Sequence, residues 1–206
     1  MRTTALACCG LTLMLAGAAW TQTASAQTAA QQRIRGDVVA IDGLSLQVKE
    51  RSGALLTVKL AENYTVTAVV KIDSDRIVPG TYVGAASMPQ PDGTHRALEV
   101  LVLPESRRGS GEGYYPWDLQ PGSMMTNATV ADVVRVDKER RITLKYKDGQ
   151  QTVLVPGDVP IVTFEPGERA MLKPGAHVLM TATHQLDGTL TAGGVAVGKD
   201  GLVPPM

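Results

Sequence analysis

The run Ser45-Leu46-Gln47-Val48-Lys49, followed by Ser52-Gly53 and then by Thr57-Val58-Lys59-Leu60, decides the predicted fold. Polar and apolar side chains alternate in both outer segments, which is typical of a β-strand with one packed face and one wet face. The Ser-Gly pair between them favours the positive φ that a tight hairpin turn needs. The stretch therefore predicts a β-hairpin.

The same kind of sequence occurs twice in the chain. Three segments recur at an offset of 95 residues, as in the step from Thr57 to Thr152. The matching pairs are Thr57–Leu60 with Thr152–Val155, Val78–Gly80 with Lys173–Gly175, and Pro91–Thr94 with Leu186–Thr189. Three matches in one register indicate an internal duplication.

Each repeat is predicted to be all-β, with helical hints only as single turns at 72–77 and 167–172. A unit of about 75 residues is near the lower limit for a self-supporting core. Short twisted strands in such a unit can close into a small barrel, which removes exposed sheet edges. We expect an all-β fold of two tandem OB-like barrels, with an open sandwich shared by the two units as the alternative.

The first 26 residues are predicted to be a signal peptide. Arg2 supplies a positive start, Ala5–Ala19 are apolar and uncharged, and Ala24-Ser25-Ala26 suits cleavage before Gln27. The apolar run is too short for a convincing membrane span. The expected organisation is a signal peptide over 1–26, a β domain over 27–104, a connector over 105–126 and a second β domain over 127–206.

Charge and cysteine content exclude several classes of protein. The 206 residues contain 20 basic and 20 acidic side chains, a balance that disfavours a nucleic-acid binder with a broad basic face. Both cysteines, Cys8 and Cys9, lie in the predicted signal peptide. The mature chain therefore has no thiol for a disulfide, a zinc site or a cysteine nucleophile.

The connector holds the candidate binding residues. It is rich in glycine and contains three of the seven aromatic side chains that follow residue 26. An aromatic cluster there either pins the two barrels together or presents a binding surface, and the sequence favours pinning. The candidate residues are Arg107, Arg108, Tyr114, Tyr115 and Trp117.

No metal site is predicted, although some histidines and methionines are neighbours in sequence. On a strand, alternation would place His177 on the opposite face from Met180 and His184. Met88 and His95 flank a turn, but two soft ligands alone make a weak site. We therefore predict no metal and no other cofactor.

No catalytic residue is predicted either. The glycine-rich segment 109–113 is not followed by the Gly-Lys-Ser/Thr of a phosphate-binding loop, so it is interpreted as a flexible turn. The serines lack a Gly-x-Ser-x-Gly elbow, and the aspartates of the Asp-Gly pairs are expected to serve turns. We predict that the protein is not an enzyme.

Several segments resemble a group of uncharacterised exported proteins of alpha- and betaproteobacteria. The resemblance covers nearly the whole mature chain and rests on Met88–Thr94, Ala97–Val100, Gly111-Glu112-Gly113, Pro116–Leu119, Met125–Val130 and Gly201–Met206. It implies small duplicated β domains of unknown function, a periplasmic location and no activity to carry over. Some members are labelled metal transporter permeases, which this chain does not fit because no spanning helix follows the predicted signal peptide.

These features predict a periplasmic, non-catalytic module that binds a protein, an envelope polymer or a small ligand. Nucleic acid and stable membrane insertion are not expected. The alternatives are a structural or stress-related envelope protein, and an accessory metal-handling protein that uses Met and His.

Overall fold

The computed structural model describes residues 30–136 and 138–205. Regular structure in this part of the chain is β-strand, apart from short 3₁₀ turns, so the all-β prediction is confirmed. The predicted signal peptide, residues 1–26, lies outside the described residues. The strands are β1 (Gln31–Asp42), β2 (Ser45–Glu50), β3 (Leu55–Lys71), β4 (Tyr82–Pro89), β5 (His95–Val102), β6 (Gly113–Pro116), β7 (Met124–Val136), β8 (Glu139–Tyr146), β9 (Gly149–Val155), β10 (Ile161–Pro166), β11 (His177–His184) and β12 (Leu190–Gly198).

Five strands close one ring, which we call ring A. β1 pairs antiparallel with β2, and β2 pairs antiparallel with β3. β3 runs parallel to β12, which is antiparallel to β11, and β11 returns antiparallel to β1. Closure pairs every strand of the ring on both sides. The prediction of a small barrel is therefore confirmed.

The remaining pairings close a second ring, which we call ring B. β7, β8 and β9 form an antiparallel meander. β9 then runs parallel to the start of β5, β5 pairs antiparallel with β4, and β4 returns antiparallel to β7. Ring B therefore has the same arrangement of strands as ring A, because each consists of a three-strand meander closed by a hairpin.

Each ring takes its meander from one half of the chain and its hairpin from the other half. Hairpin β4–β5 lies in the segment 27–104 yet closes ring B, and hairpin β11–β12 lies in 127–206 yet closes ring A. The sequence predicts one barrel for each of these segments. The difference arises because alternation identifies strands and hairpins locally but does not specify which of two similar meanders a hairpin closes.

The interior of each ring is filled by side chains at alternating strand positions. In β2, Leu46 and Val48 are fully buried, while Ser45 and Lys49 face outward. The corresponding residues of β8, Ile142 and Leu144, fill ring B. Each core contains residues from both halves of the chain, so neither ring can bury its apolar surface with one half alone.

The two rings are joined through β10. This strand pairs antiparallel with the end of β3 and parallel with the end of β5. A small third cluster of buried side chains, Val69, Leu101 and Val162, fills the space between the rings. The rings therefore share one continuous sheet.

Several local features recur at the same offset of 95 residues. The 3₁₀ turns at Ser74–Arg76 and Arg169–Met171 match the two predicted helical turns. The strands that follow also begin at equivalent positions, Tyr82 with His177 and His95 with Leu190.

Two of the predicted hairpin turns have the same geometry. Gly93 and Gly188 adopt φ values of 81° and 82°, which L side chains rarely adopt. The carboxylates of Asp92 and Asp187 each accept a hydrogen bond from the backbone N–H two residues later, at 3.0 and 2.9 Å. Gly149 differs, because it has no positive φ and begins β9.

Candidate functional site

The connector lies against both rings. After a 3₁₀ turn at Glu105–Arg107, its short strand β6 pairs antiparallel with β7 of ring B. The loop that follows is closed by Ser123, whose carbonyl accepts a hydrogen bond from the Trp117 backbone N–H at 2.8 Å. The Ser123 hydroxyl also lies 2.7 Å from the Gln120 carbonyl. These bonds give Trp117 a defined position next to ring B.

Trp117 and Asp118 connect this loop to ring A. The guanidinium of Arg33, on β1, lies 3.8 Å from the centroid of the Trp117 ring, which is a close cation–π contact. The Asp118 carboxylate accepts hydrogen bonds from Arg33 at 2.6 Å and from Arg35 at 2.7 Å. The connector is thus attached to ring B by backbone pairing and to ring A by side chains.

The arginines also change the acidity of Asp118. Partial burial by itself raises the pKa of this carboxyl group. The hydrogen bonds and positive charges of Arg35 and Arg33 outweigh burial, so the pKa lies below its ordinary value. Asp118 is therefore charged at neutral pH.

Asn127, on β7, holds the middle of the connector. Its side-chain amide donates hydrogen bonds to the Gly111 carbonyl at 3.1 Å and to the Tyr115 hydroxyl at 2.8 Å. Gly84 leaves room for this amide, since a Cβ at that position would lie only 2.5 Å from Asn127 Oδ1. Burial raises the pKa of Tyr115, which keeps its hydroxyl protonated. Tyr115 is therefore a packing residue of the connector.

Tyr114 packs against a buried polar pair in ring B. Its ring meets the His95 imidazole edge to face at 5.3 Å, and His95 Nδ1 lies 3.2 Å from the Ser87 hydroxyl. Burial lowers the pKa of His95, so the imidazole is neutral at pH 7. On its other side, His95 Nε2 faces the Tyr114 hydroxyl at 3.5 Å rather than a carboxylate. Because Ser87 is fully buried, this pair is not positioned to attack a substrate.

The two neighbouring arginines of the connector have different surroundings. Arg108 is paired with Glu105 and also donates a hydrogen bond to the Gly80 carbonyl at 2.9 Å. Arg107 lies over the ring of Phe164, on β10, with its guanidinium carbon 5.0 Å from the ring centroid. Among the described residues, no carboxylate forms an ion pair with Arg107.

A cleft of about 530 Å³ lies between the two rings and the connector. This volume is in the range of small-molecule sites, which are mostly apolar and have a few polar groups. Ring A, ring B, β10 and the connector all contribute to its walls. The principal apolar side chains are Leu101, Leu103, Trp117, Met125, Phe164 and Leu179.

The polar groups of the cleft are cationic or neutral. Arg33 and Arg107 both line it, together with Asn127 and several threonines. Among the described residues that line the cleft, none is Asp, Glu, His, Cys or Lys. The cleft therefore combines an apolar wall with two arginines, of which Arg33 is paired with Asp118, a residue outside the lining.

The structure brings only some of the predicted binding residues to this cleft. Arg107 and Trp117 line it, whereas Arg108, Tyr114 and Tyr115 do not. Sequence reasoning missed Arg33, Phe164 and the outward-facing leucines. A usable signal was present in Val178-Leu179-Met180 and Val100-Leu101-Val102-Leu103, because uninterrupted apolar runs indicate strands covered on both faces.

A buried acid lies on the strand that carries Leu101. Glu99, on β5, is fully buried, and neither of its carboxylate oxygens has a hydrogen-bond partner among the described residues. Burial raises its pKa to about 8, even though the positive charges of Arg35 and Arg51 oppose the shift. Glu99 is therefore largely protonated at pH 7.

The histidines and methionines considered for a metal site are dispersed. His177 contacts the Asp37 carboxylate, Met180 is buried in the core of ring A, and His184 lies 3.0 Å from the Gln32 side-chain oxygen. Within the described residues, no group of three or more His, Cys, Asp or Glu side chains could hold a metal ion.

Within residues 30–136 and 138–205, no helix is long and apolar enough to cross a membrane.

Known proteins provide no assignment for this chain. It matches no protein family, no curated protein and no solved structure. The resemblance to exported proteobacterial proteins therefore stays a prediction. Function has to be inferred from the geometry and chemistry of the cleft.

Proposed function

We propose that this protein is a non-catalytic periplasmic module that binds a small ligand in the cleft between its two rings. The observation that carries the proposal is the cleft of about 530 Å³, with its apolar wall and a few convergent polar groups. The periplasmic location rests on the predicted signal peptide.

Binding rather than catalysis is favoured by the residue types in the cleft. General acid and base chemistry usually depends on His, Asp, Glu, Lys, Tyr or Cys. The described lining residues are instead apolar side chains, arginines, threonines, a serine and an asparagine. The Ser87–His95 pair is buried in ring B and does not line the cleft.

The recurrence of structural features at one offset also supports an internal duplication. The equivalent 3₁₀ turns, hairpins and meanders would then derive from one ancestral unit that formed a pair by exchanging its C-terminal hairpin. In this interpretation the ligand cleft first lay between the two separate units of a pair. The duplication then joined these units into one chain.

The binding proposal can be tested with a neutral apolar fluorophore, N-phenyl-1-naphthylamine. Trp117 is the only tryptophan after residue 26, and it lines the cleft. We expect saturable 1:1 binding to residues 27–206, with energy transfer from Trp117 to the probe.

A pair of substitutions distinguishes the cleft from other surfaces. Ala196 is half-buried on β12 and lines the cleft, so Ala196→Phe should fill it and abolish binding. Ala61 is exposed on β3 and does not line the cleft, so Ala61→Phe should leave binding unchanged. If the probe fails to bind the wild-type protein, or binds both variants equally, the cleft is not a ligand site and a structural role becomes the better interpretation.

A further inference from the structure

We infer that the ligand of the cleft is a soluble monoanionic amphiphile, whose anionic group pairs with Arg107 and whose apolar body packs between the rings. This inference rests on the proposed ligand cleft and adds the chemical class of its occupant.

The charges of the cleft favour an anionic ligand. The described residues of the cleft include two arginines and no acid. Arg33 is already paired with Asp118, which reduces its contribution to the local field. Arg107 has no carboxylate partner among the described residues, so it is the cation that remains for a ligand.

Arg107 is positioned to bind an anionic group beside the apolar wall. Its guanidinium lies 5.0 Å from the centroid of the Phe164 ring, at the border between the exposed connector and the apolar wall. Stacking on an aromatic ring restricts the guanidinium while leaving its N–H groups available as donors. A planar guanidinium matches the two oxygens of a carboxylate, and it also accepts a phosphate or a sulfonate.

The apolar wall of the cleft favours a ligand that also has an apolar body. Leu103, Phe164 and Leu179 line the same cleft as this cation and are only partly buried in the free protein. Covering these side chains with a hydrocarbon or aromatic body would remove their surface from water. A purely polar anion would leave this wall exposed, and a neutral apolar molecule would leave Arg107 without a partner.

The test is displacement of N-phenyl-1-naphthylamine by decanoate and by 1-decanol, both below their aggregation concentrations. These competitors share one chain length and differ in charge. For the wild-type protein we expect decanoate to displace the probe at a concentration about tenfold lower than 1-decanol, because charged hydrogen bonds add affinity. Decane-1-sulfonate, which is also a monoanion, should behave like decanoate, because the guanidinium recognises both groups.

Two variants that each lose one positive charge test whether the preference for decanoate depends on Arg107. Arg107→Gln should abolish the preference for decanoate and leave displacement by 1-decanol unchanged. Arg141→Gln, at an exposed residue of β8 outside the cleft, should retain the preference. Near-ultraviolet circular dichroism of both variants checks that the fold is intact.

Other outcomes would contradict either this inference or the proposed function, and they can be told apart. Equal displacement by decanoate and 1-decanol, or an unchanged preference in Arg107→Gln, would overturn the inference while leaving the ligand cleft in place. Failure of the probe itself to bind would overturn the proposed function. Co-sedimentation with phosphatidylglycerol vesicles that decanoate does not reduce would assign the anion site to a lipid surface and also overturn the inference.

Discussion

Val69 and Phe164 stand opposite each other in the register of β3 and β10, and they are 95 residues apart, the offset at which the sequence segments recur. A pair of equivalent residues can face each other only where an approximate two-fold axis passes between them. The flanking pairs agree, because Ala68 opposes Glu165 and Val70 opposes Thr163, again the positions expected from two-fold symmetry. This register supports the proposed duplication, in which the halves of the chain are related like the subunits of a dimer.

The first prediction concerns the separate halves. Residues 30–104 contain the meander of ring A but not the hairpin that closes it, so this fragment should not form a stable monomer. Circular dichroism should show loss of cooperative unfolding, or size-exclusion chromatography with light scattering should show a dimer. Mixing the fragment with residues 105–206 should restore the Trp117 fluorescence of the intact chain. A monomeric 30–104 fragment that unfolds cooperatively would contradict the shared cores.

The second prediction is a pH dependence of stability due to Glu99. Its pKa is about 8 in the folded protein and near 4.5 in the unfolded chain, so the folded state binds more protons between these values. The free energy of unfolding should therefore fall as pH rises from about 4.5 to about 8, by an amount on the order of a few kcal/mol.

Glu99→Gln should remove this dependence. The neutral variant should resemble the wild-type protein at pH 5 and be more stable at pH 9, as measured by urea unfolding. Glu62→Gln, at an exposed residue of β3, controls for the loss of one acid. Equal slopes of stability against pH in the wild-type protein and Glu99→Gln would show that the pKa of Glu99 is not raised in the folded protein.

The third prediction concerns the attachment of the connector to ring A. Asp118→Asn removes the charge that holds Arg33 and Arg35, and the Asp118 side chain is 50% exposed, so we expect a loss of about 0.5–1 kcal/mol. Trp117 emission should shift to the red as the loop gains mobility. High salt should reduce the difference from wild type. As a control, Asp132→Asn, at an exposed residue of β7, should change neither the free energy of unfolding nor the Trp117 emission. An unshifted emission in Asp118→Asn would mean that other contacts hold the loop.

The fourth prediction concerns the close approach of β2 to Gly36 on β1. Gly36 lies where β1 pairs with both β2 and β11, and a Cβ there would be only 2.1 Å from the Lys49 carbonyl oxygen. Gly36→Ala should therefore reduce the free energy of unfolding by about 2 kcal/mol or more. Gly193→Ala is the matched control, because a Cβ at that residue of β12 meets nothing within 4 Å. Equal thermal midpoints for the two variants would show that β1 relaxes around the added methyl group.

Part of the cleft could be predicted from the sequence, because the connector is compositionally unlike the rest of the chain. That contrast identifies Arg107 and Trp117, which do line the cleft. It does not separate them from Arg108, whose guanidinium is occupied by Glu105. Adjacent residues of one loop can face different surroundings, and only their tertiary contacts distinguish them.

Local features determined the strands. The alternation in Ser45–Lys49 and Thr57–Leu60, with a turn between them, predicts a hairpin, because inward and outward positions have a period of two residues in any strand. The single turns near residues 74 and 169 were likewise visible in the sequence. These properties depend on neighbours along the chain, so they need no knowledge of the tertiary fold.

The tertiary structure alone decided which hairpin closes which ring. Both hairpins offer similar apolar faces, and the choice depends on the parallel pairings of β12 with β3 and of β9 with β5, which join distant parts of the chain. The cleft beside Arg107 depends on tertiary contacts in the same way, because both rings, β10 and the connector line it. Sequence alternation determines the face that a residue presents, whereas contacts between the halves determine what that face meets.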